Sequence, residues 1–143
     1  MLKGISPVLS PDLLKLLCEM GHGDEIVLAD SNFPGASIGK RLVRADGLPI
    51  KAILEAILPH FVLDKYADSL IMMQAVPGDV LDPAVEEDYM KAIQRHQPDV
   101  ASLIRINKSA FYERASDAFC VVMTGELRIY GNLILKKGVI AQH

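Results

Sequence analysis

Met20-Gly21-His22-Gly23-Asp24-Glu25-Ile26-Val27-Leu28-Ala29-Asp30 is the stretch whose reading decides the fold. Four consecutive apolar residues, Ile26 to Ala29, lie between a glycine-rich loop and an aspartate. A short unbroken apolar run of this kind suits a strand buried on both faces of a sheet. Upstream, Ser10-Pro11-Asp12 reads as a helix N-cap, a first-turn proline and a first-turn acid. Leu13, Leu14, Leu17 and Met20 follow at helical spacing, and Gly21 supplies a stop. Helix, loop and buried strand in that order open a layered α/β chain.

The same alternation continues downstream. Residues 31–39, with Pro34 and two glycines, read as an irregular loop. Residues 41–45 suit a short strand, Asp46-Gly47 a turn, and residues 50–58 a helix stopped by Pro59. Residues 70–76 form a further apolar strand closed by Pro77-Gly78-Asp79. Asp82-Pro83 opens a helix with Val85, Tyr89, Ile93 and His96 on one stripe. Residues 102–106 are strand-like, and residues 110–117 helical with Phe111 and Ala115 inward. Residues 118–124 suit a central strand, Gly125-Glu126 a turn and residues 132–135 a last strand. With no repeat, low-complexity tract or linker, the pattern predicts one α/β domain over residues 1–143 with a mostly parallel or mixed sheet.

Bulk properties narrow the function. Half of the 143 residues are hydrophobic, enough for a core without metal or disulfide support. A net charge of -3, scattered basic residues and the lack of tryptophan give no footprint for nucleic acid. Cys18 and Cys120 have apolar neighbours and neither metal nor redox spacing, so both read as reduced core thiols. No apolar run is long enough to span a membrane, and no signal peptide is recognisable; a cytoplasmic protein is expected. His22, His60, His96 and His143 are far apart without ligand spacing, so no metal site is expected. Nucleotide-loop and hydrolase motifs are missing from the sequence.

What remains is a set of polar residues at the ends of apolar elements. His22 stands between two glycines, and an imidazole exchanges protons near neutral pH; a loop histidine can equally be a cap or a surface residue. Asp30 ends a buried strand, where ligands of open α/β sheets collect and a carboxylate can accept from sugar hydroxyls; a turn cap is the plainer alternative. In Tyr130-Gly131-Asn132 an extended backbone would point phenol and amide to one face. Gly131 would then let a ligand approach the backbone, although a turn fits the spacing as well. Lys108 stands at or before a helix start, against the macrodipole. Tyr112 follows one turn on and suits either the core or a site. The residues describe a polar-lined pocket and name no reaction.

Taken in order, these segments resemble the RbsD/FucU family of sugar mutarotases across nearly the whole chain. The likeness rests on Leu2-Lys3-Gly4-Ile5, on residues 20–30 quoted above, and on Asn32-Phe33-Pro34. It continues through Arg44-Ala45-Asp46-Gly47-Leu48, Phe111-Tyr112-Glu113-Arg114-Ala115, and residues 130–138, Tyr-Gly-Asn-Leu-Ile-Leu-Lys-Lys-Gly. It is denser with the fucose-mutarotase branch than with the ribose-pyranase branch. The resemblance implies a three-layer α/β/α fold and a cofactor-independent isomerase that interconverts anomers of L-fucose or a related monosaccharide. By the same resemblance His22 is the proton donor and Tyr112 a second catalytic group. Asp30, Tyr130 and Asn132 hold the sugar, with Asp64 a further ligand-contacting acid. At Lys108 the family usually carries Arg or His, and an ammonium cannot make a planar bidentate contact, which leaves the preferred sugar open. Pyranose–furanose interconversion and a sugar-binding accessory without turnover are the alternatives.

One geometric expectation follows from the strand itself. Residues 24–30, fully extended, span about 20 Å, so His22 and Asp30 lie too far apart to grip one pyranose. Either the glycine-flanked loop folds back or the site is shared between subunits. The resemblance implies ring-like decamers with sites near subunit contacts, and a homo-oligomer is expected.

Overall fold

A computed structural model describes residues 1–142; His143 lies outside the described residues. The chain runs α1 (Pro11–Glu19), β1 (Glu25–Ala29), α2 (Gly35–Ile38), β2 (Leu42–Ala45), α3 (Ile50–Ile57), β3 (Leu70–Met73), α4 (Pro83–His96), β4 (Ile104–Ile106), α5 (Lys108–Asp117), β5 (Cys120–Thr124) and β6 (Leu133–Lys136), with one 3-10 turn at Leu58–His60. The six strands form one sheet in the order β2-β5-β1-β6-β3-β4. Only β6 runs against its neighbours; β1, β2 and β5 are parallel, as are β3 and β4.

β1 shows why the sheet has helices on both faces. Ile26, Val27, Leu28 and Ala29 are all fully buried, and side chains alternate across a strand. Ile26 and Leu28 join one core with Leu13 and Leu17 of α1, Ile53 and Leu54 of α3, and Tyr89 of α4. Val27 and Ala29 join a second core with Phe33 and with Phe111 and Ala115 of α5. At about 1.5–3 kcal/mol for each large apolar side chain buried, a strand sunk in both layers is a principal anchor of the domain. This is the expected three-layer α/β/α arrangement with a mixed sheet.

Several local expectations are corrected. The 31–39 loop contains the single helical turn α2, which lies so close to β5 that a side chain at Gly35 would run into Met123 and Val121. α1 ends on Met20 in an extended conformation, so Gly21 is no left-handed stop; Gly23, at φ +87°, is the glycine the loop needs. His96 is exposed, because the buried stripe of α4 runs through Val85, Tyr89, Ala92 and Ile93 before its last turn reaches solvent. Cys18 is also exposed, off the Leu13-Leu16-Leu17 face, whereas Cys120 is a core thiol whose pKa burial pushes up to about 12. Among the described residues no helix is long and apolar enough to cross a membrane.

Candidate active site

The parallel strands all point their carboxyl ends to one edge of the sheet, and β6 begins there. Asp30 follows β1, Asn132 precedes β6, and Lys108 and Tyr112 stand on the first turns of α5, just after β4. Together with Tyr130 they line a cavity of about 320 Å³, at the lower end of small-molecule sites, roughly 300–1,000 Å³. Asp30, Lys108, Tyr112, Tyr130 and Asn132, singled out in the sequence, are thus brought together. Phe33, Met73, Val76 and Ile129 add an apolar wall.

Hydrogen bonds fix the polar groups in advance. The Asp30 amide donates to Asn132 Oδ1 at 2.6 Å, which ties β1 to β6 and leaves the Asn132 NH₂ to donate. Asp30 Oδ1 accepts from the Asn32 amide at 2.9 Å. The Tyr130 hydroxyl donates to Asp79 Oδ2 at 2.6 Å and accepts from the Val76 amide at 3.1 Å. With its proton and one lone pair committed, that phenol meets a ligand as an acceptor. The Tyr112 ring packs on Phe33 with centroids 5.2 Å apart, and Lys108 Nζ lies 5.6 Å from the Tyr112 ring centre. Sequence reading missed Asp79; its sole signal was the Pro77-Gly78-Asp79 turn that closes β3.

Tyr130 and Asn132 do share the cavity, although not through an extended backbone. Tyr130 is left-handed at φ 59°, a conformation of order 1–3 kcal/mol above the ordinary regions for a non-glycine residue. The Tyr130 hydroxyl is fixed by the bonds to Asp79 and Val76. Gly131 is packed closely against the protein itself. A Cβ there would meet Arg128 O at 2.9 Å and Glu126 Cγ and Tyr89 Oη at 3.2 Å, so the glycine is required by the protein's own packing.

Asp30 is 8% exposed. Burial raises its pKa above 3.8, and the Glu126 charge adds to this; hydrogen bonds from Asn32, Phe33 and Asn132 only partly offset the rise. An acid whose folded-state pKa is raised loses stability as pH climbs from the unfolded value through the folded one. Asp30→Asn should therefore melt at a higher temperature than the wild type at pH 7 and at the same temperature at pH 3. Each 1 kcal/mol of relief would appear as about 2–4 °C. A lower midpoint at pH 7 would show that the charge is needed by the fold.

His22 and Asp64 lie at the other edge of the sheet, before β1 and beside the end of β6. His22 Nε2 is 3.1 Å from Asp64 Oδ1, with the imidazole 47% exposed. Asp64 is held in turn by its amide, which donates to Lys136 O at 3.0 Å. Burial opposes its charge, yet amides of Tyr66 and Lys65 and the His22 ring outweigh that and keep its pKa below 3.8. An ionised carboxylate only accepts, so the ring donates to it from Nε2, and Nδ1 makes no hydrogen bond among the described residues. The loop does not fold back toward Asp30. Asp64 orients His22 and does not line the Asp30 cavity.

The likeness to known proteins extends from end to end. Residues 3–140 match the model of the RbsD / FucU transport protein family. The chain belongs to that family. Among solved RbsD / FucU structures, the fucose mutarotase of Streptococcus pneumoniae in complex with L-fucose is 46% identical with a TM-score of 0.93, covering 98% of this chain and 100% of that one. FucU of Bifidobacterium longum is 47% identical with a TM-score of 0.91, covering 97% and 100%. RbsD of Bacillus subtilis complexed with D-ribose is 22% identical with a TM-score of 0.74, covering 99% and 100%, and shares the fold.

Proposed function

We propose that this RbsD / FucU chain is a mutarotase for L-fucose or a closely related monosaccharide. The observation that carries the reading is the preset cavity at the carboxyl edge of the sheet, in a chain nearly half identical to a mutarotase crystallised with L-fucose. Asp30 accepts from sugar hydroxyls, the Asn132 NH₂ donates to them, and Tyr130 offers a phenol oxygen. Met73, Val76 and Ile129 give an apolar surface suited to the methyl group of a 6-deoxy sugar.

The chemistry needs one acid and one base. The ring oxygen gains a proton while the anomeric hydroxyl loses one, and the C1–O5 bond opens to the aldehyde. C1–C2 rotates, the ring recloses on the other face, and the two proton transfers reverse, so no net atom or electron is exchanged. His22, oriented by Asp64 through Nε2, supplies the acid in its doubly protonated form, giving the Nδ1 proton to the ring oxygen and recovering it when the ring recloses. Tyr112 is the second proton-transfer or hydroxyl-orienting group, and Lys108 at the cavity mouth contacts the sugar. Neither metal nor cofactor enters this scheme.

His22 and the Asp30 cavity meet when one copy places its His22–Asp64 edge over the cavity of another. We therefore assign a homo-oligomer with shared sites, in keeping with the family's ring-like decamer, and place it in the cytosol. Saturation-transfer NMR between the anomeric protons of L-fucose tests the activity, with D-ribose as the control. The protein should accelerate α/β exchange of L-fucose well above the spontaneous rate. Bound L-fucose without exchange would make the chain a passive binder, and faster pyranose–furanose exchange of ribose would make it a pyranase.

A further inference from the structure

Glu126 is a nearly buried carboxylate, 5% exposed, that the scheme above leaves unused. It lies in the β5–β6 connection, beneath the turn that carries Tyr130 and Asn132. Arg128 grips it from the same connection, with Nε 3.2 Å and its amide 3.4 Å from Oε2. The Tyr89 hydroxyl of α4 lies 3.5 Å from Oε1 and donates to the Gly131 carbonyl at 2.7 Å. Arg128 also reaches back to Asp88 of α4 at 2.7 Å. On the backbone side, the Glu126 carbonyl accepts from the Ser31 amide at 2.9 Å, one residue past Asp30. Its amide donates to Thr124 Oγ1, which donates to the Ala29 carbonyl at 2.7 Å.

We propose that Glu126 is a positioning residue of the sugar site, its carboxylate the hub around which residues 127–131 wrap so that Tyr130 and Asn132 face the cavity. Two independent features support a wrapped, tensioned turn over a loose one. Tyr130, in the same connection, is left-handed at φ 59°, and Gly131 has no room even for a methyl group against Glu126, Arg128 and Tyr89. The same residue ties down both walls of the cavity, through Ser31 behind Asp30 and through the turn behind Tyr130. Such a hub raises affinity by sparing the turn from ordering when sugar binds. The inference rests on the mutarotase reading for its ligand and on the loop geometry for the rest.

Glu126→Gln replaces an acceptor with an NH₂ that faces the Arg128 donors, and Tyr89→Phe removes only the hydroxyl under Gly131. In both, the KM for L-fucose exchange should rise, by about tenfold in Glu126→Gln and severalfold in Tyr89→Phe, as expected when an interaction of charged or buried partners is lost. kcat should stay within about twofold, since no reacting group is altered. Amide signals of Tyr130, Gly131 and Asn132 should shift while those of β3 hold still. Unchanged KM in both variants, with a lowered melting temperature alone, would leave Glu126 a structural residue and overturn the proposal. If the wild type exchanges no L-fucose, the mutarotase reading fails, and the loop signals still decide the hub: shifts support it, and a still turn rejects it.

Discussion

Replacing His22 by alanine should slow L-fucose anomer exchange by about 10²–10⁴-fold, the usual worth of a positioned acid or base. The loop that carries it does not depend on the imidazole. The Gly21 amide donates to Asp24 Oδ2 at 2.7 Å, the Gly23 amide to Lys137 O at 2.8 Å and the Asp24 amide to Gly21 O at 3.1 Å. Gly23 supplies the positive φ that closes the turn. Asp64 loses one partner, yet its Oδ1 keeps the Tyr66 amide at 3.2 Å, so the cost to stability is about 1 kcal/mol. Sugar affinity should fall far less than the rate, because Asp30, Asn132 and Tyr130 are untouched. His22→Gln separates orientation from proton transfer: an amide can hold Asp64 but carries no exchangeable acid, and it should be as slow as alanine. Exchange at the wild-type rate in either variant would remove His22 from the reaction.

That expectation was partly legible before any fold was known. A buried apolar run ending in Asp30 fixes both a central strand and the edge at which a ligand sits, because burial on two faces leaves the strand ends as the only polar positions. His22 at one end and Asp30 at the other leave two ways to join them, a loop that folds back or a site shared between subunits, and the sequence does not choose. Asp79 is not legible as a site residue because its role is set by a contact 51 positions away, with Tyr130, and the turn that holds it marks only the end of β3. Glu126 read as a turn residue; its burial depends on Tyr89 and Arg128 closing over it. Tyr130 and Asn132 share the cavity, but not through the extended backbone that their spacing suggests, since a left-handed residue cannot be inferred from spacing when the residue is a tyrosine. The resemblance links Asp64 to the sugar; the fold sets it 3.1 Å from His22, which lies 42 residues earlier in the chain, a contact that nothing local in the sequence marks.

Mixing two inactive variants should restore activity if sites are shared. Asp30→Ala damages the cavity and leaves the His22–Asp64 edge whole; His22→Ala does the reverse. Assayed below saturating sugar, where lost affinity appears as lost rate, each alone should be nearly silent. When the two are co-assembled at equal amounts, a site is intact only where an undamaged cavity meets a neighbour's undamaged histidine edge. Random mixing gives about a quarter of wild-type sites in a closed symmetric assembly of this kind. The structural ground is the rigidity of the separation. β1 holds its ends about 13 Å apart over five residues, and it is pinned between β5 and β6 in the middle of the sheet. The loop before it is tied to Lys137, just past the end of β6, which holds His22 at the edge of the sheet away from Asp30. A mixture as silent as its components would mean that each chain works with its own residues alone, and the role of His22 would then have to be sought elsewhere in the cavity, with Tyr112 the first group to replace.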